Sequence, residues 1–331
     1  MDIHTITGTS PTNRVTFASL EQTPENTRLY TNGSSVVELN RADYLTFKNI
    51  TFEIEGYAYQ HVIETGQYSK GIEFIGNKVI TDSERSTLLS LGGEALNQHG
   101  KIVGNEFIGG NYGVFFYGLP GDTHVQIDSN RFEDQYSMAI YVERADTLLI
   151  RANTITKAED GAYGQYRGIY IRSTPHMRVE GNTILSDREG TGIYLDRNYD
   201  GGTKLISNNV ISLNSTGPSV GIYSYNCFYL ELYSNNLYSN SSYYDGSGVW
   251  LSLSYYSTFK NNILYNTGEG IVLHSERSSG LDSDHNVFYS SDSVYLASTP
   301  TGTNGEGYTE YNLADWQATA RQDQNSLFID P

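Results

Sequence analysis

The chain has 331 residues, of which 38 are Asp or Glu and only 21 are Lys or Arg, so its formal net charge at pH 7 is -17. Such a charge opposes nonspecific binding to nucleic acid and to anionic membrane surfaces. Cys227 is the single cysteine, so neither a disulfide framework nor a cysteine-based zinc site can form. No apolar run approaches the roughly 18 residues that span a bilayer. We therefore expect no nucleic-acid partner and no insertion into a membrane.

A repeat of roughly 25 residues runs through most of the chain. Each repeat contains an Asn that is followed, after one residue, by an apolar residue. The repeated residues are Asn77, Asn105, Asn130, Asn153, Asn182, Asn208, Asn235, Asn261 and Asn286. A second short strand lies about midway between them and often begins with Gly, as in Gly168-Ile169-Tyr170-Ile171.

Short strands that alternate apolar and polar residues, joined by sharp Asn or Gly corners, are typical of stacked coils. Each strand then pairs with its equivalent in the next coil, and the Asn amides can form a hydrogen-bonded ladder. The pattern predicts an all-β, right-handed parallel β-helix over residues 1–311 and a C-terminal cap over residues 312–331. In the cap, Asn312 begins a short amphipathic helix. We also expect the natural protein to extend upstream of residue 1, because the chain starts in strand-like sequence.

Alternation along the second strand predicts an outward row of mostly aromatic side chains. The row contains Phe115, Tyr141, Tyr170, Tyr194, Tyr223, Trp250 and Val272. The flat faces of sugars stack well on aromatic rings, so the row is a possible binding track. The alternative is that the rings stack on one another and only stabilise the solenoid.

The next outward row carries charges, and we predict it to be Tyr117, Glu143, Arg172, Asp196, Tyr225, Ser252 and His274. Glu143 and Asp196 would then lie about 9.6 Å apart by strand spacing, near the upper end of the roughly 6.5 to 9.5 Å that suits an inverting glycosidase. Glu143, Arg172 and Asp196 are therefore the predicted catalytic residues. A second chemistry, β-elimination from a uronic acid polymer, would use Arg167, Arg172, Arg197 and Tyr170. The alternative reading is a surface charge ladder without catalytic function.

Metal binding has little support in the sequence. Asp196, Asp200 and Glu143 offer the oxygen ligands that calcium prefers, so calcium remains open, but the sequence contains no EF-hand loop. The seven histidines are scattered and no two have the spacing of metal ligands. We predict no protein-bound metal centre and no other cofactor.

The repeats resemble the pectate-lyase-like right-handed β-helix superfamily over nearly the whole chain. The stretches Ile6–Ser10 and Asn13–Phe17, and the corner Ser283-Asp284, are similar to β-helix segments of bacterial surface proteins. The superfamily includes polysaccharide lyases, glycosidases and phage tailspikes, but no catalytic signature of any one family is present.

The resemblance implies an extracellular, secreted or cell-surface protein that interacts with a polysaccharide or cell-surface glycan, with cleavage by hydrolysis or β-elimination left open. The predicted substrate-binding residues are Tyr117, Tyr141, Arg167, Tyr170, Tyr194, Arg197, Tyr223, Tyr225, Trp250 and His274. Insertions at 157–165, 196–203 and 239–248 would wall the binding face. The alternative is a noncatalytic adhesin or structural module of a larger exported protein. In either case we expect a monomer.

Overall fold

The protein is a parallel β-solenoid with three parallel sheets, which confirms the prediction of an all-β solenoid. The computed structural model describes residues 1–33, 35–56, 60–66, 68–92, 100–118, 124–158, 165–241, 246–291, 297–300 and 308–329. The chain divides into two compact units, Met1–Thr156 and Lys157–Pro331. Each full coil contributes one strand to each sheet, and we number the sheets 1 to 3 in the order in which the chain enters them.

In the first unit, six coils pair in register. Sheet 1 contains Asp2–Ile3, Val37–Leu39, His61–Thr65, Thr87–Gly92, Tyr112–Tyr117 and Met138–Glu143. Sheet 2 contains Val15–Ala18, Leu45–Lys48, Glu73–Ile75, Lys101–Val103, Val125–Asp128 and Thr147–Arg151. Sheet 3 contains Arg28–Thr31, Thr51–Ile54, Lys78–Thr81, Glu106–Gly109, Arg131–Glu133 and Thr154–Lys157, whose last residue opens the second unit. A short 3-10 helix, Pro24–Asn26, precedes the first strand of sheet 3.

In the second unit, the same three-strand order continues. Sheet 1 contains Tyr166–Arg172, Gly190–Asp196, Ser219–Tyr225, Ser247–Ser252 and Ile271–Glu276. Sheet 2 contains His176–Glu180, Lys204–Ser207, Leu230–Tyr233, Thr258–Lys260 and Asp282–Asp284. Sheet 3 contains Thr183–Ser186, Val210–Leu213, Asn236–Ser239, Ile263–Asn266, Val287–Ser290 and Leu327–Phe328.

Inward side chains form columns that fill the solenoid. In sheet 1 of the second unit, Ile169, Ile193, Ile222 and Val249 are in register and fully buried. Burial of each such side chain stabilises the fold by roughly 1.5 to 3 kcal/mol. The Gly that precedes each of these residues has a steric cause. A Cβ at Gly192 would lie 2.6 Å from the carbonyl oxygen of Gly221, so no larger residue fits there.

A buried ladder of asparagines runs beside the core. Nδ2 of Asn209 donates to Oδ1 of Asn235 and to the carbonyl of Val179, both at 2.9 Å, and Oδ1 of Asn209 accepts from the backbone nitrogen of Asn182 at 3.0 Å. Every buried polar group of the side chain is thus satisfied. The members are Asn77, Asn105, Asn130 and Asn153 in the first unit, and Asn182, Asn209, Asn235, Asn262 and Asn286 in the second.

Two of the predicted ladder residues are wrong by one position. Asn208 and Asn261 are not in the ladder; their φ values are 55° and 59°, and they form the corner before Asn209 and Asn262. The residue directly before every ladder Asn has a positive φ, and before Asn153 this residue is Ala152. The left-handed conformation therefore belongs to the residue before the ladder, and the ladder Asn itself supplies the amide.

The short C-terminal helix is present as predicted, over Leu313–Ala320, and the side chain of Asn312 caps it by accepting from the backbone nitrogen of Asp315. Trp316 is buried, and its Nε1 donates to Asp323 at 2.9 Å. An antiparallel pair of strands, Ala297–Pro300 and Tyr308–Tyr311, comes before the helix in the chain. The sheet 3 strand Leu327–Phe328 follows the helix. Among the described residues no helix is long and apolar enough to cross a membrane. The predicted domain boundary at residue 311 stays a prediction.

Candidate functional site

An outward aromatic row lies on sheet 1 of the second unit. Tyr170, Tyr194, Tyr223, Trp250 and His274 occupy the same register position in successive strands. The predicted place of His274 in the next row is wrong, and so is the assignment of Val272 to this row. Gly270 precedes the strand Ile271–Glu276 instead of aligning with Gly248, so the last coil is shifted by two residues.

The rings of this row do not form one closed stack. The interplanar angle rises from 30° between Tyr170 and Tyr194 to 46° between Tyr194 and Tyr223, and to 82° between Tyr223 and Trp250. At the end of the row the rings stack again: the ring centroids of Trp250 and the buried His274 are 4.5 Å apart, with an interplanar angle of 11°. The ring faces are therefore least covered by one another near Tyr223.

A cleft of about 360 Å³ lies beside this opening. Tyr194, Tyr223 and Trp250 form one wall. The other wall comes from the outward row before the Gly of each repeat, where Arg167, Thr191 and Val220 are in register, together with Gln165 and Pro218. Of this second wall the sequence predicted only Arg167. Alternation alone could not have found this wall, because counting backward from the inward Ile169 places Arg167 on the inward face. The Gly interrupts the alternation: a Cβ at Gly168 would meet the inward side chain of Ile184, so the residue before the Gly faces outward.

The guanidinium of Arg167 lies over two rings, with Cζ 4.6 Å from the centroid of Tyr194 and 5.4 Å from that of Tyr170. Within the described part of the chain Arg167 forms no ion pair, so its charge is held by aromatic faces and remains available to an anion. Burial raises the pKa of the Tyr194 phenol, and burial is also the main cause that raises the pKa of Tyr223 to about 12. Both hydroxyl groups are therefore neutral hydrogen-bonding groups at physiological pH.

The predicted catalytic pair of the second unit lies on the far side of the aromatic row from the cleft. Oδ2 of Asp196 accepts from the Tyr170 hydroxyl at 2.9 Å and lies 3.4 Å from Nε of Arg172. Oδ1 of Asp196 lies 3.6 Å from Nε of Arg197. Burial, with the Asp196 hydrogen bond, raises the pKa of Tyr170. Asp196 is thus the centre of a charge cluster, with Tyr225 as its register neighbour in the next coil.

Glu143, the other predicted catalytic carboxylate, belongs to the first unit. It accepts from the Tyr141 hydroxyl and lies 3.8 Å from Nε of Arg144. Its register neighbour Tyr117 is covered by the guanidinium of Arg144, 5.0 Å from the ring centroid. The pairing of Glu143 with Asp196 in catalysis stays a prediction.

Two further expectations concern metals and loops. No group of three or more His, Cys, Asp or Glu side chains that could hold a metal ion occurs in the ranges that the structure describes, and calcium binding stays a prediction. Of the loops expected to wall the face, 196–203 is described, whereas 159–164 and 242–245 lie outside the described residues.

Comparison with known proteins agrees with the fold. A search of curated proteins found no match to this chain. The family described as "Right handed beta helix region" matches residues 69–226 and, in an overlapping match, residues 139–306. These matches cover more than half of the sequence and include the aromatic row of the second unit. The chain therefore belongs to the right-handed β-helix family.

Proposed function

We propose that the protein binds an acidic polysaccharide in the sheet 1 cleft of its second unit. The observation that carries the proposal is the coincidence of two features. The aromatic rings tilt apart between Tyr194 and Trp250, and the guanidinium of Arg167, which forms no ion pair with any residue that the structure describes, lies beside these rings. Aromatic faces suit the apolar faces of sugar rings, and a guanidinium suits a carboxylate or sulfate.

The chemistry of the two walls supports this choice of ligand. The volume of about 360 Å³ is in the lower part of the range of small-ligand sites. Thr191 and Gln165 can exchange hydrogen bonds with sugar hydroxyl groups, as can the neutral phenols of Tyr194 and Tyr223. Because the ligand is a surface or extracellular polymer, we also propose that the protein acts outside the cell.

The proposal is limited to binding. Both oxygens of Asp196 have partners, Tyr170 and Arg172 on one and Arg197 on the other. A carboxylate held in this way is poorly placed to give or take a proton in the cleft. Cleavage is therefore an outcome to be tested alongside binding.

Affinity electrophoresis against polygalacturonate, a sulfated glucan and neutral dextran tests the proposal. The wild-type chain is expected to be retarded by the two acidic polymers. Arg167→Gln should weaken retardation by the acidic polymers about tenfold or more, since a charge-assisted hydrogen bond contributes roughly 1.5 to 3 kcal/mol. Tyr223→Ala should weaken binding about three- to tenfold, as expected for the loss of one aromatic contact.

Two variants outside the cleft serve as controls. Arg178→Gln removes an exposed guanidinium from sheet 2, and Tyr256→Ala removes an exposed ring from a corner; both should bind as the wild type does. Assays for reducing ends and for unsaturated uronic products run in parallel, and their formation would show that the protein also cleaves the polymer. No retardation by any polymer, or equal loss in the control variants, would contradict the proposal and favour a structural module.

A further inference from the structure

Apart from the buried Lys157 at the end of Thr154–Lys157, the sheet 3 strands of the second unit contain no charged residue. The strands read Thr-Ile-Leu-Ser, Val-Ile-Ser-Leu, Asn-Leu-Tyr-Ser, Ile-Leu-Tyr-Asn, Val-Phe-Tyr-Ser and Leu-Phe. Their outward side chains form two rows, which together we name the neutral face. One row is Thr183, Val210, Asn236, Ile263, Val287 and Leu327, and the other is Leu185, Ser212, Tyr238, Tyr265 and Tyr289.

Large apolar side chains on this face are exposed. The exposed fraction is 42% for both Leu185 and Val210, 46% for Ile263 and 60% for Leu327. In the second row, Tyr238, Tyr265 and Tyr289 stack on one another at 5.7 and 4.2 Å. Their ring faces are turned toward each other, so the edges point to solvent. Such a row is less suited to stacking on sugars than the open rings of the cleft are.

The other sheets of the second unit are charged. Sheet 2 carries residues such as Arg178, Glu231 and Asp282 in its strands, and sheet 1 carries Arg172 and Asp196. The whole chain has a net charge of -17. A second copy that contacts a charged face must desolvate ionised groups, whereas contact between two neutral faces desolvates none and is opposed only by the longer-range repulsion between the net charges of the two copies.

We infer that the neutral face is a self-association surface, by which two copies pack sheet 3 against sheet 3 about a two-fold axis. Two sheets can pack face to face about 10 Å apart, and a two-fold axis brings the same face of each copy together. Six strands by four residues measure about 24 by 13 Å, or roughly 300 Å² in projection. This is well below the roughly 800 Å² per partner of a standard interface. The dimer is therefore weak and forms at high protein concentration, in contrast to the monomer expected from sequence.

The charge distribution gives the association a specific salt dependence. The net negative charge of each copy opposes association, and salt screens that repulsion over about 8 Å at physiological ionic strength. The contact itself contains no ion pair that salt could weaken. Dimerisation should therefore strengthen as the salt concentration rises, the opposite of an interface built on salt bridges.

Sedimentation velocity across a concentration series, at low and high sodium chloride, tests the inference on the full chain. The wild type should show a reversible monomer–dimer equilibrium that shifts toward dimer in high salt. Ile263→Lys and Val210→Lys should each weaken the dimer at least tenfold, because two like charges would meet in an apolar contact. Both positions are exposed in the monomer, so folding, followed by circular dichroism, should be unchanged.

Ile80→Lys is the matched control, because Ile80 is an outward sheet 3 residue of the first unit, beside Glu53. This variant should dimerise as the wild type does. A wild-type chain that stays monomeric at every concentration, or a dimer that persists in Ile263→Lys, would overturn the inference. Retardation by neutral dextran that is lost in Ile263→Lys would also overturn it, since the face would then be a glycan site. Binding of acidic polymers should be equal in all three variants, so the test is independent of the proposed cleft.

Discussion

Sheet 1 carries outward aromatic rings in both units, but the rings pack differently. In the first unit, Phe115 and Tyr141 are stacked at 4.6 Å and 9°, and Tyr112 packs edge-on against both rings. In the second unit, the ring planes tilt apart around Tyr223 and a cleft opens beside them. The same strand register thus supports a closed column, in which the rings stack face to face, in the first unit. In the second unit it supports an open column, in which the rings tilt apart beside a cleft.

The difference arises from the outward row before the Gly of each repeat. In the first unit this row holds the large side chains Tyr112 and Met138. In the second unit the equivalent positions hold Arg167, Thr191 and Val220, and the two smaller side chains leave space beside the rings. Whether an aromatic row packs on itself or faces a ligand therefore depends on the residues next to it.

Sheet 3 shows a second difference between the units. In the first unit its outward side chains form ion pairs, such as Lys78 with Glu106 at 3.1 Å and Arg131 with Glu133 at 2.8 Å. In the second unit the same sheet is the uncharged neutral face. The core and the Asn ladder are alike in both units, so the interior is set by the solenoid and the functional differences lie in the outward rows.

The largest effect of a substitution, a loss of stability, is expected in the Asn ladder, which is alike in the two units. Asn105 and Asn209 are both buried, and each makes the same set of ladder hydrogen bonds in its unit. Asn105→Ala and Asn209→Ala should each lower the free energy of unfolding by about 3 kcal/mol or more, because several buried polar groups lose their partners. Urea unfolding measures this loss.

Asn208→Ala is the control, since it removes an exposed amide at a corner where Ala152 already occurs in another coil. It should cost about 1 kcal/mol, the strain of a left-handed non-Gly residue. If Asn209→Ala were no more harmful than Asn208→Ala, the ladder would not be the common support of the two units.

The next largest effect, a loss of glycan binding, is expected from a substitution that fills the cleft beside the open column. Val220→Tyr places a ring next to Tyr223, as Tyr112 lies next to Phe115 in the first unit. The ring should fill the cleft and weaken binding of acidic glycan about 100-fold, or roughly 2.7 kcal/mol. The dissociation constant of a uronic oligosaccharide measures this change by calorimetry.

Met138→Tyr adds the same ring to the equivalent row of the first unit and should leave glycan binding unchanged. Unaltered binding in Val220→Tyr, with the fold intact, would show that the cleft is not the site.

The sequence predicted the fold because the repeat is visible without any structure: the inward residues, the Gly positions and the Asn corners recur in register. It misplaced Asn208 and Asn261 because Val210 and Ile263 are apolar but face outward, so they imitated the buried residue that follows a ladder Asn. Val210 and Ile263 both belong to the neutral face, so the error has the same cause as that face: apolar side chains at outward positions of sheet 3. The tilt between Tyr223 and Trp250 was not predicted, because it depends on which side chains lie beside the rings, and the place of Thr191 and Val220 there is visible only from the strand register across coils.

The smallest effect is expected at the charge cluster, and it separates the two arginines of sheet 1. Arg172 and Asp196 form a partly exposed ion pair, which contributes about 0 to 1 kcal/mol. Arg172→Gln should therefore change the free energy of unfolding by less than about 1 kcal/mol. It should alter glycan affinity by less than about twofold, whereas Arg167→Gln weakens binding strongly.

The two arginine variants are matched in residue type, in sheet and in unit, and they differ in which side of the aromatic row they occupy. Electrophoresis and product assays on both variants therefore locate the ligand relative to that row. If Arg172→Gln abolished binding, or abolished formation of a cleavage product by the wild type, the ligand would lie over Asp196 and the charge cluster would be catalytic, as the sequence pattern first indicated. If only Arg167→Gln lost binding, the cluster would be a charge ladder that stabilises the stacked coils.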